Sequence, residues 1–241
     1  MILNILLTLV IFVIPILIIL FFLIKAILRY KLSFLKLLSF FAGGILITPL
    51  VLYVERCLFK VSGINLNNAL PILSLILGYG GIAIIEEISK LLVVYCLLGR
   101  KKYSYRAIDI ILYLIFTALG FALVENILFA GQELINGSLL SQVFHTMGLR
   151  FIGANLMHLL CAIIVGLFLV QSTKFKNHKL FYLGLSISIL VHTVFNIIII
   201  KFGASTVLPA TIPTSLMLFT AVCVFLVILN KRDLSFEVGL P

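Results

Sequence analysis

The chain has no tryptophan and little charge: 11% of its 241 residues are Asp, Glu, Lys or Arg. So small a charged fraction, with 63% apolar residues and a mean hydropathy of +1.31, excludes a soluble globular protein. Without tryptophan, the interfacial belt falls to tyrosine and phenylalanine. The four cysteines (Cys57, Cys96, Cys161 and Cys223) form no CxxC pair. They read as small apolar residues rather than as a disulfide framework or structural zinc ligands. No internal repeat is visible, which weakens an inverted-repeat transporter. The net charge of +10 comes without a basic motif interleaved with aromatics, so nucleic acid is not an expected partner. The basic residues lie between apolar runs, where they serve as topology signals and contacts to anionic lipid.

What is present is length. Residues 3–24, 34–54, 70–98, 107–130, 143–172, 179–201 and 210–229 each read as a span long enough for a hydrocarbon core of about 30 Å. The expected fold is all-α: a polytopic membrane helix bundle of seven spans, forming one integral-membrane domain over residues 1–241. The first span lacks a basic leader region and an A-x-A cleavage site, so it reads as a mature helix. Basic residues cluster in alternate loops: Lys25, Arg29, Lys31 and Lys36; then Arg100, Lys101, Lys102 and Arg106; then Lys174, Lys176 and Lys179; then Lys231 and Arg232. The positive-inside rule places the N-terminus outside and the C-terminus in the cytosol.

Against this apolar background, a few polar groups stand inside the spans. The third carries Glu86, Glu87 and Lys90, the fourth Glu125 and Asn126, the fifth Arg150, Asn155 and His158, and the sixth His192 and Asn196. A charge near a bilayer centre costs about 2.5 kcal/mol or more, so this concentration points to function rather than packing. Lys90 lies one helical turn from both glutamates, so that it could bridge both, and His192 and Asn196 share a face. Counted from the expected cytosolic ends, Glu86, His192 and His158 all lie roughly 18–21 Å deep. The same count puts Glu125 and Arg150 further out, at roughly 28 and 33 Å, as an outer ion pair. Asp109 reads as a first-turn charge favoured by the helix dipole. His145 and His178 read as solvated.

Carboxylates, imidazoles and an amide at one depth suit the activation of water. A glutamate serves as general base, a histidine shares the proton, and a histidine with an asparagine steadies an oxyanion. No serine or cysteine has a convincing base partner, and Ser89 faces away from Glu86. This is hydrolysis without a required cofactor. A metal alternative uses the same atoms: Glu86, His158 and His192 would make a His₂Glu zinc set with an open water position. The absence of HExxH weighs against it. Two non-hydrolytic readings remain, a proton-coupled transporter using these groups as a relay and a non-enzymatic membrane scaffold.

Four motifs in order carry a resemblance. EEISK at 86–90, GFALVEN at 120–126, Arg150 followed by His158, and HTVFN at 192–196 resemble the PrsW family of intramembrane proteases. That family is similar to the CAAX prenyl endopeptidases and bacteriocin-related membrane proteases. The likeness runs over about residues 78–200. It implies an endopeptidase of the bacterial cell membrane with its catalytic core at about 70–201, acting on a membrane-anchored, single-span protein such as an anti-sigma factor. By the family's pattern Glu86 would be the base with Glu87 supporting it. His158 and His192 would be further catalytic groups and Asn196 an oxyanion partner, with Lys90, Glu125, Asn126 and Arg150 in support. The prenyl endopeptidases carry FxxxH where this chain has Phe121 and Glu125. Either Glu125 or His158 is therefore the second catalytic group.

Overall fold

The computed structural model describes residues 24, 25, 28, 31–62, 71–99, 105–202 and 237–238. Five long helices dominate: α1 (Phe34–Ser62), α2 (Ile72–Leu98), α3 (Ala107–Ile135), α4 (Leu140–Lys174) and α5 (His178–Phe202). A short antiparallel pair joins β1 (Tyr105–Arg106) to β2 (Glu237–Val238). The chain is thus an all-α membrane protein over its described residues. The expected spans 3–24 and 210–229 lie outside those residues.

Local chemistry sets the helix ends. α2 begins after Pro71, whose fixed φ suits the first turn. It stops at Gly99, with φ 67° and its N–H on the Tyr95 carbonyl. At the start of α3, Arg106 donates two hydrogen bonds to Asp109, at 3.0 and 2.8 Å. Asp109 therefore has a partner as well as the helix dipole.

The helices form a closed ring: α1 packs on α3, α3 on α4, α4 on α5, α5 on α2 and α2 on α1. Two glycines bring α1 and α3 into backbone contact. A Cβ on Gly44 would strike the Thr117 carbonyl, and one on Gly120 the Phe41 carbonyl. The first half of α3 becomes the dry centre, with Ile108, Ile111, Leu112 and Ile115 fully buried against α1, α2 and α4.

Burial runs inside out. Leu46, Leu50, Leu77, Ile127 and Leu190 are exposed on the outside, while Glu86, Glu87, Lys90, His158 and His192 are buried. Phe34–Lys60, Ala107–Ile135, Gly153–Lys174 and His178–Lys201 are each long and apolar enough to cross a membrane. α2 matches them in length, and its three mid-helix charges all point into the ring. Such an arrangement suits lipid outside and a polar interior.

Candidate functional site

The buried charges of α2 meet groups from α3, α4 and α5. Glu86 and Glu87 are neighbours in sequence, so their side chains leave the helix about 100° apart and find different partners. Glu87 Oε1 accepts from Lys90 Nζ at 2.6 Å and from His192 Nδ1 at 2.9 Å. Glu86 Oε2 lies 3.8 Å from His192 Nε2 and 4.0 Å from His158 Nδ1. It is buried and makes no hydrogen bond among the described residues.

Each histidine is held from behind by a carboxylate. His158 Nε2 lies 2.9 Å from Glu125 Oε2, and His192 Nδ1 is held by Glu87. These bonds set the tautomers: the held nitrogen donates and the other presents a lone pair. His158 Nδ1 and His192 Nε2 therefore face Glu86 as acceptors. The two rings stand perpendicular with centroids 5.2 Å apart. Lys90 Nζ also donates to His158 Nδ1 at 3.0 Å. Phe121 forms the floor, 5.1 Å from the Lys90 ammonium and edge-on to His158.

Donor atoms of Glu86, His158 and His192 all lie within 4.8 Å of one another. A carboxylate and two imidazole lone pairs, each imidazole steadied by a second carboxylate, match the requirements of a divalent cation. The orphaned Glu86 oxygen is the atom such an ion would satisfy. A second set, Glu87, Cys161 and His192, meets the same distance. There Glu87 is already tied to Lys90 and His192, and Cys161 Sγ leans on the Ser188 carbonyl at 3.5 Å.

The structure thus gathers Glu86, Glu87, Lys90, His158 and His192 from three helices, with Glu125 from a fourth. Glu125 is not in a separate outer layer, as residue counting suggested. It touches His158. α3 starts at Ala107 as expected and α4 ends at Lys174, only two residues past the expected 172, so residue counts along separate helices do not give relative depth. Lys90 hydrogen-bonds Glu87 rather than bridging both glutamates. Asn126 donates to Asn155 at 2.8 Å and ties α3 to α4 beside the site. Asn196 is half-buried one turn beyond His192, without a hydrogen bond among the described residues. The Arg150 side chain lies outside the described residues.

Sequence reasoning missed Glu55. It is buried near the end of α1, and Oε1 has no hydrogen-bond partner among the described residues. The second span was expected to stop at 54, one residue short of it, whereas α1 continues to Ser62. The available signal was an acidic residue against an apolar run in a chain with only eight.

Protease PrsW of Clostridioides difficile (strain 630) is 28% identical over 167 residues, covering 68% of this chain and 66% of that protein. The aligned stretch is therefore just under two thirds of the relative's length. No solved structure matches. The pattern of the PrsW family intramembrane metalloprotease matches residues 33–229, most of the chain and every helix that builds the site. The chain belongs to the PrsW family of intramembrane metalloproteases.

Proposed function

We propose that the protein is an intramembrane endopeptidase that hydrolyses a peptide bond in a membrane-anchored protein, using Glu86, His158 and His192 to hold a divalent cation such as zinc. The observation that carries this reading is the orphaned Glu86 oxygen facing two imidazole lone pairs, each backed by a carboxylate. Sequence alone favoured a metal-free glutamate base. The donor set and the family's description support the cation instead.

A bound cation would polarise the scissile carbonyl and the attacking water. The chain's own groups do the rest. Glu87 and Glu125 keep the imidazoles in one tautomer and orientation. Lys90 neutralises Glu87, and would release His158 Nδ1 when that nitrogen is needed as a ligand. The Asn196 amide, one turn from His192, is available to the carbonyl oxygen. The apolar walls exclude bulk water, which strengthens every interaction inside. The resemblance supports a single-span, anti-sigma-factor-like substrate in a bacterial cell membrane.

The test is cleavage of a single-span reporter by the purified protein in liposomes. We expect cutting that 1,10-phenanthroline stops and added zinc restores. Chelator-insensitive cutting would remove the cation. Absence of cutting, together with proton flux driven by a solute, would favour the transporter.

A further inference from the structure

The cation set and its supports account for three carboxylates on α2 and α3, but a fourth lies beside them unused. Glu55 is 7% exposed, and its Oε1 is buried with no hydrogen bond among the described residues. Burying a carboxyl oxygen unpartnered costs at least about 1–3 kcal/mol, so Glu55 is not held there for stability.

Helix packing points Glu55 at the site. α1 and α2 run antiparallel, with Gly43 against Val93 and Leu97 and, further along α1, Leu58 against Gly81. Glu55 is one turn before Leu58, and Glu86 is little more than one turn beyond Gly81. The carboxyl lies within electrostatic reach of Glu86 and Lys90 on α2 and of Glu125 on α3. It stands outside the set of donors that converge with Glu86, so it is not a fourth ligand. The other carboxylates are committed: Glu87 to Lys90 and His192, Glu125 to His158, and Glu86, in the reading above, to the cation.

We propose that Glu55 is a further catalytic residue, the proton carrier of the hydrolysis. As the water oxygen bonds to the scissile carbonyl carbon, Glu55 takes one water proton. As the carbon–nitrogen bond breaks, it hands that proton to the leaving amine. One water and one peptide bond become a carboxyl and an amine, and Glu55 ends as it began. The role rests on the protease reading above and supplies the base which that reading lacks once Glu86 is a ligand.

The experiment is Glu55→Gln in the full-length protein in liposomes, with bound zinc, thermal midpoint, kcat and KM measured beside wild type and Glu86→Gln. We expect Glu55→Gln to keep wild-type zinc content, midpoint and KM while kcat falls about 10²–10⁴-fold. Glu55→Asp should recover part of that loss, as a shortened carboxylate still carries a proton. Glu86→Gln should lose zinc and cleavage together. A kcat for Glu55→Gln within about threefold of wild type overturns the proposal, and so does loss of zinc or of the fold in both Glu55 variants. If the wild type itself does not cut, the protease reading falls first and this role falls with it.

Discussion

The two halves of α3 have opposite characters. From Ala107 to Ala122 nearly every side chain is buried, including Ile110, Ile111, Leu112 and Phe121. Beyond Ala122 the helix opens, with Leu123, Ile127, Leu128, Leu134 and Ile135 exposed. Phe121, the floor of the site, lies at the end of the buried half, and Glu125 lies in the first turn of the open one with its side chain 25% exposed. One helix therefore carries a rigid apolar mount and an outward-facing half. The candidate site sits at their junction, where the mount can fix its geometry.

The largest predicted effect falls on the junction. Glu86→Gln or His192→Ala should insert and fold yet cut a reporter at least about a thousandfold more slowly, read by product formation in liposomes. Near-normal cutting by either variant would mean the polar junction is only structural. Next come the supports. Glu125→Gln and Glu87→Gln should weaken zinc binding about 10–100-fold, measured by chelator competition, and excess zinc should recover part of the activity.

Two glycines of α3 then test the contrast within one helix. Gly120→Ala drives a methyl into the Phe41 carbonyl and should cost about 1–3 kcal/mol in unfolding experiments. Gly131→Ala, in the open half with nothing near its Cβ, should be neutral or stabilise by up to about 1 kcal/mol. Equal responses would erase the distinction between mount and outward-facing half. A small loss belongs to Asn155→Ala, which removes the bond to Asn126 and should cost about 0.6 kcal/mol in the same unfolding experiments.

Much of this was legible in the sequence, for identifiable reasons. Long apolar runs show helices plainly, and polar groups inside them stand out because lipid penalises them. That is why Glu86, Glu87, His158 and His192 could be named before any coordinates. Tilt and overrun were not legible. The extra length of α1 concealed Glu55 beyond an expected helix end, and counting residues along separate helices set Glu125 apart from His158. Rotational detail was hidden too: which glutamate takes Lys90 depends on how α2 turns against α5. The role of Gly120 became clear only with α1 against it, since a glycine within a helix shows nothing in sequence of the backbone that needs its missing side chain.

The buried charges of α2 have a consequence for how the protein is made. Lys90 and Glu87 are answered by histidines 68 and 105 residues further along the chain, and Glu86 faces the same two rings. When α2 leaves the translocon those histidines have not been synthesised: Lys90 and Glu87 can pair within the helix, but Glu86 faces an insertion penalty of about 2.5–3.5 kcal/mol as a charge near the midplane. The settled position of α2 in lipid must wait for later helices to arrive. Biogenesis and assembly of the reactive centre are therefore one event, and a chain truncated before α5 should leave α2 poorly inserted.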